Sequence, residues 1–500
     1  MDITLVTEGT YPHSFGGVSV WCDQLVQNMP GHRFTVTAIV GSGSEKVLWD
    51  LPQNASLVPV AVWGDAPAKR TSRRAKASIL RLYRRLLDVL LADPDAPASS
   101  PRAVRPDEFG DILRRLFELA GGAQLTDVLG GQDAVAAVMD AWLLRRHEAG
   151  HRVLPSVYDA VTAVSLLEHA LRPLFRPVLK ADLTHAVTNG LAVLVGLAAK
   201  WTHGTPLIVT EHGVYLRERY LEYAKAGYSW PVKSLLLGFQ RALCTEGYRA
   251  ADLITPGNRY NQRWELRLGA GAEQLQTVYN GVDPAHFPLA GPEPELPTIT
   301  WAGRIDPIKD LETLLRAFAL VRKEIPEAKL RMFGGGDQQY RARCERLLEG
   351  LGLQGAATFE GRIDNIRDAY SAGHVVALSS ISEGFPYTLI EAMTAGRATV
   401  STDVGGVTEA AGDTGLVVPP RDPEAMAAAC VALLRDETAR RRLGTAARQR
   451  ALELFTVEQA IDAFQLIYTD VAAGRPVELA ASEMLELAVG GPSVVRLRSA

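Results

Sequence analysis

Residues 375–395 read VVALSSISEGFPYTLIEAMTA. The β-branched and small residues at its start suit a buried strand, and the apolar spacing after Pro386 suits a helix running to about Ala395. A glycine turn lies between them. Strand, tight turn and helix start together make a ligand edge, because the free N–H groups of the first helical turn point beyond the strand end and favour anions. Pro386 fits that first turn, where its missing N–H would be unpaired anyway. Glu383 precedes the helix and Glu391 lies in its second turn, so their spacing does not put them on one helix face. One carboxylate could approach a reacting centre while the other takes a neighbouring hydroxyl pair; turn capping and a solvated helix position explain the two equally well.

The alternation continues on both sides of this stretch. Strands are predicted at 298–302, 329–333, 357–359, 398–401 and 416–418, with helices at about 310–325, 338–351, 365–371 and 423–435. That is the grammar of a doubly wound parallel sheet, whose ligands bind at the carboxyl ends of the strands. The first of these strands runs into AGRIDPIKD (302–310), which places Arg304 and Lys309 at that edge. Two cations there suit a diphosphate leaving group, since negative charge develops on it as its bond breaks. Surface ion pairs with Asp306 and Asp310 are the alternative. The next strand ends in MFGGGDQQY (332–340), where glycines mark a close backbone approach.

The first half opens with a strand at 3–6, the loop and helix start EGTYPHSFGGVSVW (8–21), a helix over about 18–29 and a strand at 33–40. Gly9, Gly16 and Gly17 lie between strand and helix in no dinucleotide pattern, and a tight turn explains them as well as a ligand does. From about 68 to 150 the rhythm breaks. Arg70, Arg73, Arg74, Arg81, Arg84 and Arg85 alternate with Ile79, Leu80, Tyr83, Leu86 and Leu87 at helical spacing over about 69–91, a basic amphipathic helix. A proline-rich linker (93–106) and helices near 106–120 and 134–147 follow. We read this as a helical insertion whose basic face is either solvated or a membrane-surface or acceptor-recruiting patch. Alternation resumes with a helix over 157–174, a strand at 183–186 that includes His185, a helix over 190–200, and a strand at 206–210 that runs into Glu211-His212-Gly213. Strands at 252–255 and 276–279 flank a helix over 257–268, and the proline-rich stretch 284–297 is the candidate hinge.

Composition bounds the function. The 500 residues are 47% hydrophobic and 22% charged, those of a globular protein of two or three domains. A net charge of −4 argues against a nucleic-acid binder. The four cysteines show neither CxxC pairing nor zinc spacing, as in a reduced cytoplasmic protein. The first residues carry no basic and apolar leader pattern, and the most apolar window, 190–201, is too short to span a bilayer.

GTYPHSFGGV, NGVD, AGRIDPIKD, MFGGGD, SEGFPYTLIEAMTAGRATVSTDVGG and GLVVPPRD occur here in that order. The set resembles the retaining glycosyltransferases of family 4, and the opening loop and TEHGVYLRER resemble more narrowly the PelF-like branch of Pel exopolysaccharide synthesis. The resemblance implies an α/β protein of GT-B fold, two Rossmann-like doubly wound domains facing a cleft. Its domains would be 1–290 on the acceptor side with the insertion, 291–455 for the nucleotide sugar, a helix at 456–474 crossing back, and a loosely held tail at 475–500. It also implies site roles. Arg304 and Lys309 hold the donor diphosphate, Glu383 binds the sugar, and His185 lies near the reaction centre. Gly16, Gly17, Gly334, Gly335, Arg362, Gly384, Phe385, Pro386 and Glu391 contact the donor, with Glu391 on the ribose. Glu8, Tyr11, Glu211 and His212 are acceptor-side candidates.

The implied reaction moves a hexose from a nucleotide sugar, UDP-glucose by resemblance, to a carbohydrate acceptor, with no metal and no cofactor. A double displacement with retention would need a carboxylate nucleophile, and the family it resembles supplies none that is agreed upon, so the resemblance implies front-face substitution. The implied partners are a membrane-bound polysaccharide synthase or a membrane surface at the basic helix, and the implied place is the cytoplasm, at the inner face of the membrane. A catalytically inactive GT-B scaffold and a nucleotide-sugar epimerase are the competing readings.

Overall fold

The computed structural model describes residues 1–64, 69–93, 105, 107–149 and 154–477. The chain divides into two compact units. The first comprises 1–256, 262–276 and 467–477, and the second takes 257–261 and 277–466.

In the first unit the strands are β1 (Asp2–Glu8), β2 (Arg33–Val40), β3 (Ala55–Ala61), β4 (Leu183–Ala186), β5 (Leu207–Glu211) and β6 (Leu253–Pro256). They form one sheet in the order β3-β2-β1-β4-β5-β6, parallel throughout. The chain thus winds outward from β1 to β3 and restarts beside β1 with β4, so the switch point lies between β1 and β4. The helices are α1 (Gly17–Gln27), α2 (Arg73–Leu90), α3 (Glu108–Leu119), α4 (Gly122–Leu129), α5 (Gln132–Ala149), α6 (Val157–Leu171), α7 (Ala192–His203), α8 (Tyr215–Lys225) and α9 (Trp230–Ala250); α10 (Arg259–Arg267) has residues in both units. β4 and β5 are short and buried along their whole length, as expected of central parallel strands.

α2 shows why the insertion belongs to this unit. Ser72 caps its start by accepting the Ala75 N–H, and Ile79, Leu80, Leu82, Tyr83, Leu86, Leu87, Val89 and Leu90 are buried in one continuous core with Leu113, Leu167 and Phe239. Its apolar stripe is therefore used inside the fold, and only the basic side reaches solvent. The proline-rich linker predicted at 93–106 falls mostly outside the described residues, as does the tail beyond 477.

The second unit repeats the plan with β7 (Thr298–Ala302), β8 (Lys329–Phe333), β9 (Ala357–Gly361), β10 (Val375–Leu378), β11 (Ala398–Thr402) and β12 (Leu416–Val418) in the order β12-β11-β10-β7-β8-β9. Its helices are α11 (Leu311–Glu324), α12 (Gln338–Gly350), α13 (Ile366–Ser371), α14 (Tyr387–Thr394), α15 (Val407–Ala411), α16 (Pro423–Arg435), α17 (Glu437–Leu454) and α18 (Val457–Ala472), the last passing into the first unit at Ile467. The switch point here lies between β7 and β10. Six strands pair parallel around it, so the loops that follow β7 and β10 are neighbours at one carboxyl edge.

Two readings of the sequence differ from this fold. No strand forms over 276–279; only Leu275 makes a bridge, to Ile254, because the chain leaves the first sheet at Gln276. The proline-rich stretch near 284–297 is tied into the second unit. Arg440 grips Glu293 with its Nη2 2.6 Å from Oε2, Arg397 donates to the Gly291 carbonyl at 2.9 Å, and the Ala290 N–H bonds to Ala395. α17, which supplies Arg440, has no counterpart in the predicted elements.

Candidate active site

In the second unit the loop after β7 and the loop after β10 are laced together. Pro307–Lys309 form a single 3-10 turn capped by Asp306, the Ile381 N–H bonds to the Ile308 carbonyl at 2.8 Å, and Ser379 Oγ donates to the Lys309 carbonyl at 2.8 Å. This lacing brings Lys309 Nζ to 2.6 Å from Glu383 Oε1, with the two side chains 20% and 10% exposed. Ser380 Oγ donates to the same carboxylate oxygen. Lys309 is thus paired with neither of its neighbouring aspartates. Asp310 sits in the left-handed region at φ 46° and spends its carboxylate capping α11 through Thr313. Arg304 is exposed, 3.6 Å from Asp306.

The glycines of MFGGGD answer to the loop beside them. Ile305 N–H bonds to the Gly335 carbonyl, Asp337 N–H to the Ile305 carbonyl, and Gly303 N–H to the Phe333 carbonyl. A Cβ on Gly334, whose φ is +140°, would lie 1.8 Å from the Gly303 carbonyl oxygen; one on Gly335 would lie 3.1 Å from Arg362 Nε. Arg362 is exposed at the end of β9.

The helix start is built differently from its sequence reading by one residue. Pro386 is the cap, extended at φ −77° and ψ 115°, and α14 begins at Tyr387. Phe385 is buried against Tyr279 and Phe455, with ring centroids 5.0 and 5.1 Å away, so its ring belongs to the core and only its backbone lies at the edge. Its carbonyl accepts from Asn280 Nδ2 at 3.1 Å, and the Gly384 carbonyl accepts the Gly406 N–H at 2.8 Å. A Cβ on Gly405 would lie 1.9 Å from the Glu383 carbonyl oxygen. Asn280, Ser380, Gly405 and Gly406 therefore hold the turn, and none was singled out as a site residue. The signal for Asn280 was in the sequence as NGVD and that for Gly405 and Gly406 as TDVGG, while Ser380 lies in neither motif. Glu391 is half-buried and accepts the hydroxyl of the fully buried Tyr370. Burial raises its carboxyl to about 7, and the Tyr370 hydrogen bond only partly offsets this.

In the first unit Glu8 ends β1 at the switch point. Its Oε1 accepts the Tyr215 hydroxyl at 2.6 Å and its Oε2 the Leu191 N–H at 2.8 Å, which joins the end of β1 to the starts of α7 and α8. Burial raises its carboxyl despite these bonds. Tyr11 is fully buried, its hydroxyl 3.2 Å from Asp23 Oδ1. Gly16 and Gly17, at the start of α1, are exposed. Gly16 is extended at φ 166°, which any residue adopts, and a Cβ there would meet nothing within 4 Å. The fold itself gives no reason for a glycine at 16.

The two histidines differ in how their ring nitrogens are engaged. His185 is fully buried, with Nδ1 2.7 Å from the Tyr468 hydroxyl and Nε2 2.6 Å from Thr210 Oγ1. Burial, with His212 nearby, lowers its imidazole to about 3. His212 is half-buried, packs edge-on against Trp21 at 4.8 Å, and its Nε2 has no partner among the described residues. Burial lowers it to about 4, so it is neutral at pH 7. Glu211 is buried; its carboxylate accepts the Tyr215 N–H at 3.1 Å and the Tyr248 hydroxyl. Among the described residues no cluster of three metal-ligating side chains occurs, and no helix is long and apolar enough to cross a membrane.

Residues 1–273 match the family described as a domain of unknown function, DUF3492. The chain belongs to the DUF3492 family. Beyond the DUF3492 region, residues 296–436 match the family described as glycosyl transferases group 1, which covers β7 to α16 and hence the Lys309 and Glu383 edge. Among curated relatives, the sulfoquinovosyl transferase of Arabidopsis thaliana is 29% identical over 290 residues, 54% of this chain and 53% of that protein. A glycogen synthase of Mycobacterium tuberculosis is 29% identical over 234 residues, 45% of this chain and 55% of that protein. The chain spans about half the length of these two relatives. Among solved structures, sucrose-phosphate synthase from Thermosynechococcus elongatus superposes with a TM-score of 0.62 at 19% identity, over 95% of this chain and 99% of that one. HepE of Anabaena in complex with UDP does so with 0.59 at 15% identity, over 94% and 100%. These similarities show that this DUF3492 protein has the GT-B fold.

Proposed function

We propose that the protein is a hexosyltransferase that moves a sugar from a nucleoside diphosphate to a carbohydrate acceptor, with the donor held by the second unit. The observation that carries this reading is the pairing of Lys309 with Glu383 beside a helix start at the β7/β10 switch point. A cation, a carboxylate and the start of α14 at one carboxyl edge suit the diphosphate and hydroxyls of such a donor. Arg304 and Lys309 take up the charge that develops on the diphosphate, and Glu383 accepts from sugar hydroxyls. Glu391 accepts from the ribose, with Gly334, Gly335 and Arg362 at the neighbouring loop. UDP-glucose is the donor proposed, and the complexes of HepE with UDP and with UDP-glucose support that choice.

Transfer proceeds with retention at the front face. The bond from the anomeric carbon to the phosphate oxygen breaks as the acceptor oxygen bonds to the same face, and that phosphate oxygen takes the acceptor proton. No metal enters this scheme. The first unit supplies the acceptor-side groups. His212 is the histidine we assign there, because its Nε2, though buried, is committed to no partner among the described residues, while both ring nitrogens of His185 are engaged. A role in exopolysaccharide synthesis of the PelF-like kind rests on the opening loop and the insertion. The basic side of α2 is the surface proposed for a membrane or synthase partner, by charge alone, since its apolar side is packed.

Incubating the protein with UDP-glucose and an oligosaccharide acceptor, then measuring UDP release and the anomeric configuration of the product by NMR, tests the reading. An α-linked product supports retention. Donor binding without turnover across an acceptor panel would favour the scaffold, and sugar interconversion without acceptor would favour the epimerase.

A further inference from the structure

Directly before His212, the carboxyl group of Glu211 is not alone. Glu265, on the part of α10 that belongs to the first unit, is fully buried, and its polar neighbour is the Glu211 carboxyl. Both Glu265 oxygens lack a hydrogen bond of regular geometry to any other group among the described residues. The groups facing the pair are known from each element packed on it. α9 contributes the Tyr248 hydroxyl, which donates to Glu211, and Cys244; α8 contributes the Tyr215 N–H, which donates to Glu211, and Glu218, which repels it. None of the largest influences on either carboxyl is a lysine, arginine or histidine, and Arg263 and Arg267, on α10 itself, are exposed.

Two carboxylates cannot both stay ionised in such a place, because burial and mutual repulsion each favour protonation. The donors identify which one keeps the charge. Glu211 already accepts two hydrogen bonds, whereas Glu265 has nothing but Glu211 to bond to. We infer that Glu265 is a carboxylic acid that donates its proton to the Glu211 carboxylate, and that this shared proton positions the Glu211-His212-Gly213 turn. Burial raises both carboxyls, and Glu211 raises Glu265 further. Glu265 is then a positioning residue: it acts on His212 through Glu211. Its relevance to transfer rests on the hexosyltransferase reading, whereas the pair itself does not.

The folded chain keeps a proton that the unfolded chain releases above the ordinary carboxylate range. Stability from this pair is therefore complete at acid pH and falls as pH rises into the alkaline range. The experiment compares wild type with Glu265→Gln, which donates an N–H at every pH, and with Glu265→Leu, which donates nothing. Thermal unfolding from about pH 5 to about pH 9 is measured together with the ring signals of labelled histidine, His212 being assigned by a His212→Asn variant. Wild type should lose stability across that range and shift its His212 signal at its alkaline end. Glu265→Gln should show a flatter stability profile and a fixed signal. Glu265→Leu should displace the signal at all pH values. In transfer assays Glu265→Leu should lower kcat/KM at least about tenfold, and Glu265→Gln should restore most of it. An unchanged pH slope and an unchanged His212 shift in Glu265→Gln would overturn the proposal. The unfolding and NMR readouts need no donor, so a protein that transfers no sugar yet shows them would sink the transferase reading and uphold the pair.

Discussion

Replacing Lys309 by methionine keeps the length and apolar body of the side chain and removes its charge. Glu383 would be left with the Ser380 hydroxyl as its side-chain partner, its side chain only 10% exposed. Breaking a fully buried pair from one side costs about 3–5 kcal/mol. Here Lys309 keeps 20% exposure, and water reaching that end brings the expected loss of unfolding free energy to about 2 kcal/mol. Glu383→Gln should cost less, because a neutral amide leaves only the ammonium to be solvated at the more open end. In the double variant no uncompensated charge remains, so the two losses should not add; a coupling energy of about 1–2 kcal/mol is expected from denaturant titrations of the four proteins. Activity should behave differently. Lys309 and Glu383 each serve the donor separately, so each single variant should lower kcat/KM at least about tenfold and the double variant should recover nothing. Additivity within about 0.5 kcal/mol would refute the pairing. Near-normal transfer by both folded single variants would refute the site.

The glycines offer a contrast. Gly334→Ala should unfold the second unit or cost it about 3 kcal/mol or more, because its Cβ would meet a backbone carbonyl at 1.8 Å, whereas Gly16→Ala should leave the melting temperature unchanged and weaken transfer several-fold. Calorimetry and donor kinetics on both separate fold from function. The histidines should divide in the same way. His185→Ala leaves the Tyr468 and Thr210 hydroxyls without their ring partner and should cost about 1–3 kcal/mol, while His212→Ala should change stability little and lower kcat at least about tenfold. Glu391 should give donor affinity a pH dependence. With its carboxyl raised to about 7, raising the pH through neutrality produces the acceptor-only carboxylate, so donor KM should fall from acid to alkaline conditions and flatten in Glu391→Gln. Its stability term runs the other way, full at acid pH and lost as pH rises through about 7.

The parts of this protein legible in its sequence are those where one local rule decides. The buried strands of the second unit announce themselves by β-branched runs of four or five residues, and glycine with proline marks the edge at 383–386, so the doubly wound sheet and the place of its ligand edge follow from short windows. Lys309 and Glu383 could be placed at that edge for the same reason. That they touch could not, since 74 positions separate them and the contact depends on how Ser379 and Ile381 stitch the β10 loop to the 307–309 turn. No strand is predicted at β3 and no helix at α4, α8, α9, α15 or α17, and the strand predicted at 276–279 does not form; what decides that last segment is where the chain leaves one sheet for the other unit, which is tertiary information. The histidines show the limit most sharply. His185 and His212 both stand near ends of neighbouring strands and look alike in sequence. What separates them is a tyrosine from the last helix, Tyr468, which takes one nitrogen of His185, and a threonine on β5, which takes the other. A polar residue at a strand end is a candidate because of its position, but only the partners brought by distant segments determine whether an atom remains available for chemistry. By that criterion His212 Nε2, buried yet without a partner among the described residues, owes its state to residues the local sequence does not reveal. It also sits one residue beyond a buried carboxyl whose own partner, Glu265, comes from α10.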